Sequence, residues 1–283
     1  MLLNPLTFYA PQSLQEATKL YASLSEARIL AGGTFLLNSL KLLKRKGLKT
    51  PQNIISLRKV EELKGVKFAV DSLSIGSMTV INDLFNSAHL TDNLAILRTV
   101  CRNISTNPIR NMATIGGNLT SRYTWTELGA PLIALEAMLN FVGPNGEQEQ
   151  ISVEEFFKNG AKATKILSHV SIRRDKTATV SYYRVKKMSD VDVPLLGVCI
   201  KTNFIGDRFS KTRVCINNTI TFAQRDSVLE EFLEKSEASK NIPQEALEHL
   251  NTAIYDNRSD DYKKAMFRVA IKRALADLIG RKK

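Results

Sequence analysis

Cysteine is scarce in this chain: three residues among 283, at Cys101, Cys199 and Cys215. None belongs to a C-x-x-C pair, so an iron–sulfur or zinc signature is missing, and their odd number argues against a disulfide framework. Histidine is equally sparse. His89, His169 and His249 are scattered, and no metal site is expected. No apolar run reaches the roughly 20 residues that span a bilayer. The opening Met-Leu-Leu-Asn-Pro-Leu has neither the basic start nor the long apolar region of a secretory signal. A cytoplasmic location without a membrane span is therefore expected. Internal repeats and low-complexity linkers are absent. So are the G-x-G-x-x-G fingerprint of a dinucleotide-binding turn and the lysine of a P-loop.

What is present is material for a core. Hydrophobic residues make up 43% of the chain, and its length suits two domains or one large one. Charge is abundant but mixed, which argues against disorder. The formal charge is +12, a surface able to attract nucleic acid, acidic lipid or an acidic protein. The densest basic run, Lys41 to Lys49, falls at the end of an expected helix, where cations complement the dipole. No aromatic residues interleave it, so no nucleic-acid partner is expected.

Two glycine pairs carry the strongest local signal: Ala31-Gly-Gly-Thr34, and Asn107-Pro-Ile-Arg-Asn-Met-Ala-Thr-Ile-Gly-Gly-Asn118. Glycine lets the backbone approach a phosphate closely and adopt positive φ, so that N–H groups point at its oxygens. Each pair reads either as half of an anion cradle or as an ordinary tight turn.

Along the chain, Ser13-Leu-Gln-Glu16 is a capping box ahead of Leu14, Ala17, Tyr21 and Leu24 at helical spacing. Ala27–Ala31 reads as a strand running into Gly32-Gly33. Leu36, Leu40 and Leu43 share a face of the next helix, and a strand follows near Asn53–Leu57. This βαβ-like order favours a small parallel sheet, with a phosphate at the glycine turn meeting a helix N-terminus. Leu73–Ser77 alternates like a strand. Asn93 is a candidate cap for a helix burying Leu94, Leu97, Cys101 and Ile104. Leu128–Ala137 reads as a buried helix and Met138–Val142 as a strand. Pro144-Asn-Gly146 is a turn, and Ser152-Val-Glu-Glu155 a second capping box. Strands are expected over Lys165–Arg174 and Thr179–Lys187, then a hairpin of Leu195–Ile205 and Phe209–Ile216. From Asp226 the pattern is helical, with Val228, Phe232, Leu247, Leu250, Phe267, Val269, Ile271 and Leu275 as apolar faces.

Together these motifs make the chain resemble the FAD-binding medium subunits of the molybdenum hydroxylases, of the xanthine dehydrogenase and carbon monoxide dehydrogenase type. Leu30–Thr34 resembles the first flavin loop of that family and Ile109–Asn118 the second. Pro51, Ile55, Leu57, Glu62-Leu63 and Leu73–Gly76 fit the connecting pattern. Asp256-Asn-Arg258, Tyr262 and Arg273-Ala-Leu275 fit its C-terminal ending. The resemblance implies an α+β fold. Residues 1–172 would form a two-part FAD-binding domain of the vanillyl-alcohol-oxidase (PCMH) type, divided at about 57–58. Residues 173–283 would form a smaller domain with a three-stranded antiparallel sheet and a helical bundle.

It also implies roles for residues. Ile29, Ala31, Gly32, Gly33, Thr34 and Leu36 match the loop that holds the FAD pyrophosphate through backbone N–H groups. Thr114, Gly117 and Asn118 match the second loop, and Ser121 a further polar contact. Glu127 stands where the family has an aspartate near the flavin's sugar-like chain, with capping of the next helix as its other reading. Leu167 matches an aliphatic contact to the ring system. Arg184 matches a lysine beside the flavin, or else pairs with Asp190 or Asp192. Lys187 and Asp192 fit the basic-then-acidic pattern beyond it. The chain departs from the family at Phe35, at the bulky Arg122-Tyr-Thr-Trp-Thr126 and at Asn217-Asn218. Trp125 is left between packing on the Leu128–Leu135 helix and stacking on a cofactor. The function implied is electron transfer inside a complex. A large partner carries the molybdenum cofactor and a small partner two two-iron two-sulfur clusters, with FAD here passing electrons to NAD or another acceptor. The competing expectations are a flavin-free scaffold of the same fold and a basic nucleic-acid-binding module.

Overall fold

Three sheets organise the chain, one parallel and two antiparallel. The computed structural model describes residues 4–160, 164–188, 193–218, 222–255 and 261–282. The first sheet comes from β1 (Thr7–Tyr9), α1 (Leu14–Ser23), β2 (Ala27–Leu30), α2 (Leu36–Arg45) and β3 (Asn53–Ser56). Its order is β1-β3-β2 and both pairings are parallel, as the βαβ-like pattern predicts. Ser13 caps α1 by accepting the Glu16 N–H, while the Glu16 carboxylate accepts the Gln12 N–H at 2.7 Å. Leu40 is the buried centre of the α2 stripe. Strand β1 is not foreseen from the sequence, because its three residues carry no alternation and only Tyr9 is partly covered.

The second sheet is antiparallel throughout. It is assembled from β4 (Val66–Ala69), β5 (Ser72–Gly76), β6 (Met138–Val142), β7 (Gln148–Ser152) and β8 (Ile166–Arg173), in the order β4-β5-β8-β6-β7. Between β5 and β6 the chain forms α3 (Ile81–Asn86), α4 (Ile96–Asn103), α5 (Asn107–Arg110), α6 (Ile115–Thr120) and α7 (Gly129–Ala134). Helix α8 (Val153–Asn159) follows β7. Leu94, Leu97, Cys101 and Ile104 are buried as their spacing predicts. Asn93 is not the cap: α4 starts three residues later, after a 3-10 turn at Asp92–Ala95. The Asn93 amide instead donates to the Arg173 carbonyl and accepts the Asp175 N–H, tying this turn to the end of β8.

The third sheet comprises β9 (Ala178–Val185), β10 (Leu196–Ile205), β11 (Arg208–Asn217) and β12 (Gln224–Arg225), antiparallel in the order β12-β11-β10-β9. Helices α9 (Ser227–Glu234), α10 (Ile242–Glu245), α11 (Thr252–Tyr255) and α12 (Asp261–Gly280) follow. The expected three strands are therefore four. The extra one is two residues long, too short to show a pattern, and Arg225 within it is held by Glu230 and Glu154. The buried stripe of α9 is Leu229 and Leu233, while Val228 is exposed. This register follows from the start of the helix. Asp226 caps it by accepting the Leu229 N–H, and Glu230 accepts the Val214 N–H, which turns this face toward β11. Asp256, Asn257 and Arg258 lie outside the described residues.

Strand β10 is buried over seven consecutive residues. Successive strand side chains point to opposite faces, and both faces are covered. Leu196, Val198 and Ile200 join α9 and α12 in one core, while Cys199 joins the core around α4 and α7. Cys101, Cys199 and Cys215 are free and buried. Burial pushes the Cys101 thiol up to about 12 and raises the other two as well. Since the thiolate is the nucleophile, iodoacetamide at neutral pH is expected to leave all three unmodified in the folded protein and to label all three in denaturant. Rapid labelling of folded protein, read by mass spectrometry, would contradict this packing. Among the described residues, no helix is long and apolar enough to cross a membrane, and no group of three His, Cys, Asp or Glu is placed to hold a metal ion.

Candidate functional site

The turn that ends β2 and the segment leading into α6 meet face to face. A Cβ on Gly32 would lie 2.0 Å from the Met112 carbonyl oxygen, so only glycine allows this approach. Gly33, at φ +73, then turns the chain into α2. The residue at the start of α2 is Phe35, which has no side-chain oxygen to cap it. No acceptor among the described residues takes the backbone N–H of Gly32, Gly33, Thr34 or Phe35. Unclaimed donors at a helix N-terminus are groups that an anion can satisfy.

The second glycine pair behaves differently, and the expectation of a matching turn is corrected here. Gly116 and Gly117 lie inside α6, and neither has positive φ. The N–H groups at its start are already used: Ile115 to the Thr79 carbonyl, Gly116 to Ser77, Gly117 to the Thr114 hydroxyl and Asn118 to the Thr114 carbonyl. What this element offers a ligand is side-chain chemistry and close approach. The Asn118 Oδ1 is buried without a hydrogen-bond partner. Gly116 is needed because a Cβ would sit 2.7 Å from the Ser77 carbonyl oxygen. Upstream, Arg110 donates to the carbonyls of Arg102, Ile104 and Ser105, closing the C-terminal end of α4 and so placing α6.

Between the two elements opens a cavity of about 940 Å³. Its walls include Ile29, Ala31, Gly32, Gly33, Thr34 and Leu36 from the first element. Thr114, Gly117, Asn118, Ser121 and Glu127 come from the second. A second cavity of about 430 Å³ is lined by Leu167, Phe141, Phe156, Arg122 and Lys165. Arg28, Ile29, Ala31, Gly117 and Thr120 line both, so the two spaces share this border. Of the thirteen residues assigned from the sequence, eleven line the larger cavity. Leu167 is in the smaller one and Arg184 lines neither.

Arg184 reaches the site through Glu127. Its Nε donates to Glu127 Oε1 at 2.5 Å and the Tyr182 hydroxyl donates to Oε2 at 2.6 Å, with the ion-paired side chains only 5% and 7% exposed. Glu127 does not cap α7, whose preceding residue is Leu128 with no side-chain cap. Burial, and then the Glu127 charge, raise the Tyr182 phenol well above its usual range, so it remains a donor. Tyr182 is absent from the sequence-based assignment, yet a signal existed: on a strand, residues 182 and 184 share a face. Asp190 and Asp192 lie outside the described residues.

The bulky 122–126 segment does not fill the larger cavity. Arg122, at φ +48, turns away, donates to the Phe157 carbonyl and lies 4.5 Å from the Phe222 ring centre. Tyr123 packs between Phe35 and Trp125, with ring centres 4.4 Å apart in each case. Trp125 is 41% exposed and lines the cavity, and its ring partner is Tyr123. Asn218 accepts from the Thr124 hydroxyl, donates its N–H to the Thr124 carbonyl, and bonds through its amide to the Pro194 and Leu195 carbonyls. Asn217 reaches the Thr126 carbonyl. Phe35, the 122–126 segment and Asn217-Asn218 are thus joined by direct contacts.

Residues 4–173 match the family described as the FAD binding domain in molybdopterin dehydrogenase. The chain is 29% identical to the carbon monoxide dehydrogenase medium chain of Hydrogenophaga pseudoflava over 279 residues, 95% of each chain. It is 23% identical to the nicotinate dehydrogenase FAD-subunit of Eubacterium barkeri over 205 residues, 69% of this chain and 68% of that one. Among solved structures, the carbon monoxide dehydrogenase of Hydrogenophaga pseudoflava that lacks the Mo-pyranopterin moiety of its cofactor superposes with a TM-score of 0.90. It is 27% identical and 99% of both chains is covered. Quinoline 2-oxidoreductase of Pseudomonas putida 86 shares the fold, with a TM-score of 0.90 at 22% identity over 100% of this chain and 99% of that one.

Proposed function

The chain belongs to the family of FAD-binding domains in molybdopterin dehydrogenases, and from that premise we propose that it is the FAD-holding electron-transfer subunit of a molybdenum hydroxylase complex. In this reading, residues 1–172 are a two-part FAD-binding domain of the PCMH type and residues 173–283 a C-terminal domain closing over it. A large partner chain carries the molybdenum cofactor and a small one the two-iron two-sulfur clusters. NAD or another acceptor receives the electrons, and the complex is cytoplasmic.

The observation that carries this reading is the row of unclaimed N–H groups from Gly32 to Phe35, on residues that line the larger of two cavities bordered in common by Ala31 and Gly117. A dinucleotide needs a central anion site with room for a ring on each side, and these residues fit it. Bound FAD would supply reversible one- and two-electron chemistry. The chain's own residues bind and orient. The first loop and the α2 dipole hold the pyrophosphate, while Thr114, Asn118 and Ser121 offer hydroxyl and amide groups to the polar linker. Glu127 presents a carboxylate fixed by Arg184 and Tyr182. Leu167 and its neighbours give the smaller cavity an apolar side.

The purified chain is expected to show a flavin absorption spectrum, or to take up one FAD per chain when the cofactor is added. Gly117→Val is expected to lose that uptake. A Cβ there already comes 3.0 Å from the Thr114 hydroxyl and 3.5 Å from the Ala31 Cβ, so the valine methyl groups would crowd the border that both cavities share. A folded chain that takes up no FAD would overturn the reading in favour of a scaffold.

A further inference from the structure

We propose that Trp125, supported by Tyr123 and Phe35, is a stacking platform for one of the two planar rings of FAD. The inference rests on the flavin reading above and assigns a binding role that neither glycine loop supplies. Trp125 is the only tryptophan in the chain. Its ring stacks on Tyr123 at an interplanar angle of 30°, and Tyr123 in turn packs at 60° on Phe35. All three line the larger cavity. A tryptophan kept only for packing would be covered, since covering its large surface is what makes it stabilising. Here 41% of the residue remains exposed, and it lines the larger cavity.

Two features indicate that the platform is built rather than incidental. The first is Phe35. It occupies the cap position of α2, where an oxygen-bearing side chain is strongly preferred, yet it spends that position on an aromatic ring that is itself 40% exposed and meets Tyr123. The second is how the Trp125 backbone is held. Thr124 is bonded through hydroxyl and carbonyl to Asn218, and the Thr126 carbonyl accepts from Asn217. The residues on both sides of the tryptophan are therefore fixed before any ligand arrives, which reduces the ordering cost of binding. The positive φ of Arg122 sends that side chain toward Phe157 and Phe222 and leaves Tyr123 to face the cavity.

Aromatic stacking predicts a modest, measurable gain. Trp125→Ala is expected to weaken FAD binding about three- to tenfold, with Trp125→Phe recovering part of the loss. Tyr123→Leu is expected to give an intermediate loss. FAD titration of the full chain by calorimetry measures these affinities, with far-UV circular dichroism confirming that each variant is folded. The flavin's visible band then identifies the ring. If Trp125→Ala weakens binding and shifts that band, the platform holds the isoalloxazine; if it weakens binding with the band unchanged, the platform holds the adenine. Unchanged affinity in both Trp125→Ala and Tyr123→Leu overturns the proposal while leaving FAD binding intact. Failure of the unaltered chain to bind FAD overturns the flavin reading and this inference with it.

Discussion

Replacing Gly32 with alanine is expected to destabilise the fold by about 3 kcal/mol and to abolish FAD uptake. The added methyl carbon would sit 2.0 Å from the Met112 carbonyl oxygen and 2.8 Å from its carbon. Both are backbone atoms, so no side chain can swing aside. Relief requires moving either the β2–α2 turn or the segment entering α6, and these are the two walls of the proposed pyrophosphate site. Gly33→Ala is the informative comparison. Its cost comes from φ +73, with only the Leu30 Cδ1 at 3.4 Å, so a loss nearer 1–2 kcal/mol is expected. Urea denaturation followed by FAD titration separates the two variants. If Gly32→Ala is no less stable than Gly33→Ala, the two loops do not approach as described.

This contact marks a boundary of what was legible in the sequence. The β–turn–α–β order could be read from Ala27–Leu57 because each element has its own periodicity and the turn its own glycines. Gly32 and Gly33 look identical in sequence, yet one is required by φ and the other by a neighbour eighty residues away. Gly116-Gly117 carried the same signature and proved to be helical: Thr114 caps the helix, its hydroxyl accepting the Gly117 N–H. Strands β1, β4, β7 and β12 escaped detection, β1 and β12 because they are too short for alternation to show. Glu127 and Arg184 could be named one by one from the resemblance to a family. That they hold each other was not readable, since 57 residues and a change of sheet separate them. The aromatic row of Phe35, Tyr123 and Trp125 was visible only as two separate departures, Phe35 and the Arg122–Thr126 segment. Its meaning depends on geometry that joins the end of β2 to the segment after α6.

The second large effect is expected at that buried pair. Arg184→Met is expected to lower stability by about 3 kcal/mol, because removing one partner leaves the other charge in a site that is almost closed to water. The Tyr182 hydroxyl still donates to Glu127 in the variant, which keeps the loss at the lower end for a broken buried pair. Tyr182→Phe alone removes one neutral donor to a charged acceptor and is expected to cost about 2 kcal/mol. The three groups share one network, so their effects will not add. Replacing all of them together, as Glu127→Leu, Tyr182→Phe and Arg184→Met, removes the charges and the unsatisfied hydroxyl at once and is expected to return stability to within about 1 kcal/mol of the parent. FAD affinity should not return with it. Glu127 lines the cavity, and leucine there offers the ligand no hydrogen bond. Denaturation and FAD titration on the single and triple variants test both halves. A triple variant that regains stability and also binds FAD as the parent does would show that the Glu127 network supports the fold alone. A triple variant that regains stability but not affinity would show that a costly buried ion pair is kept for the carboxylate it holds at the cavity wall.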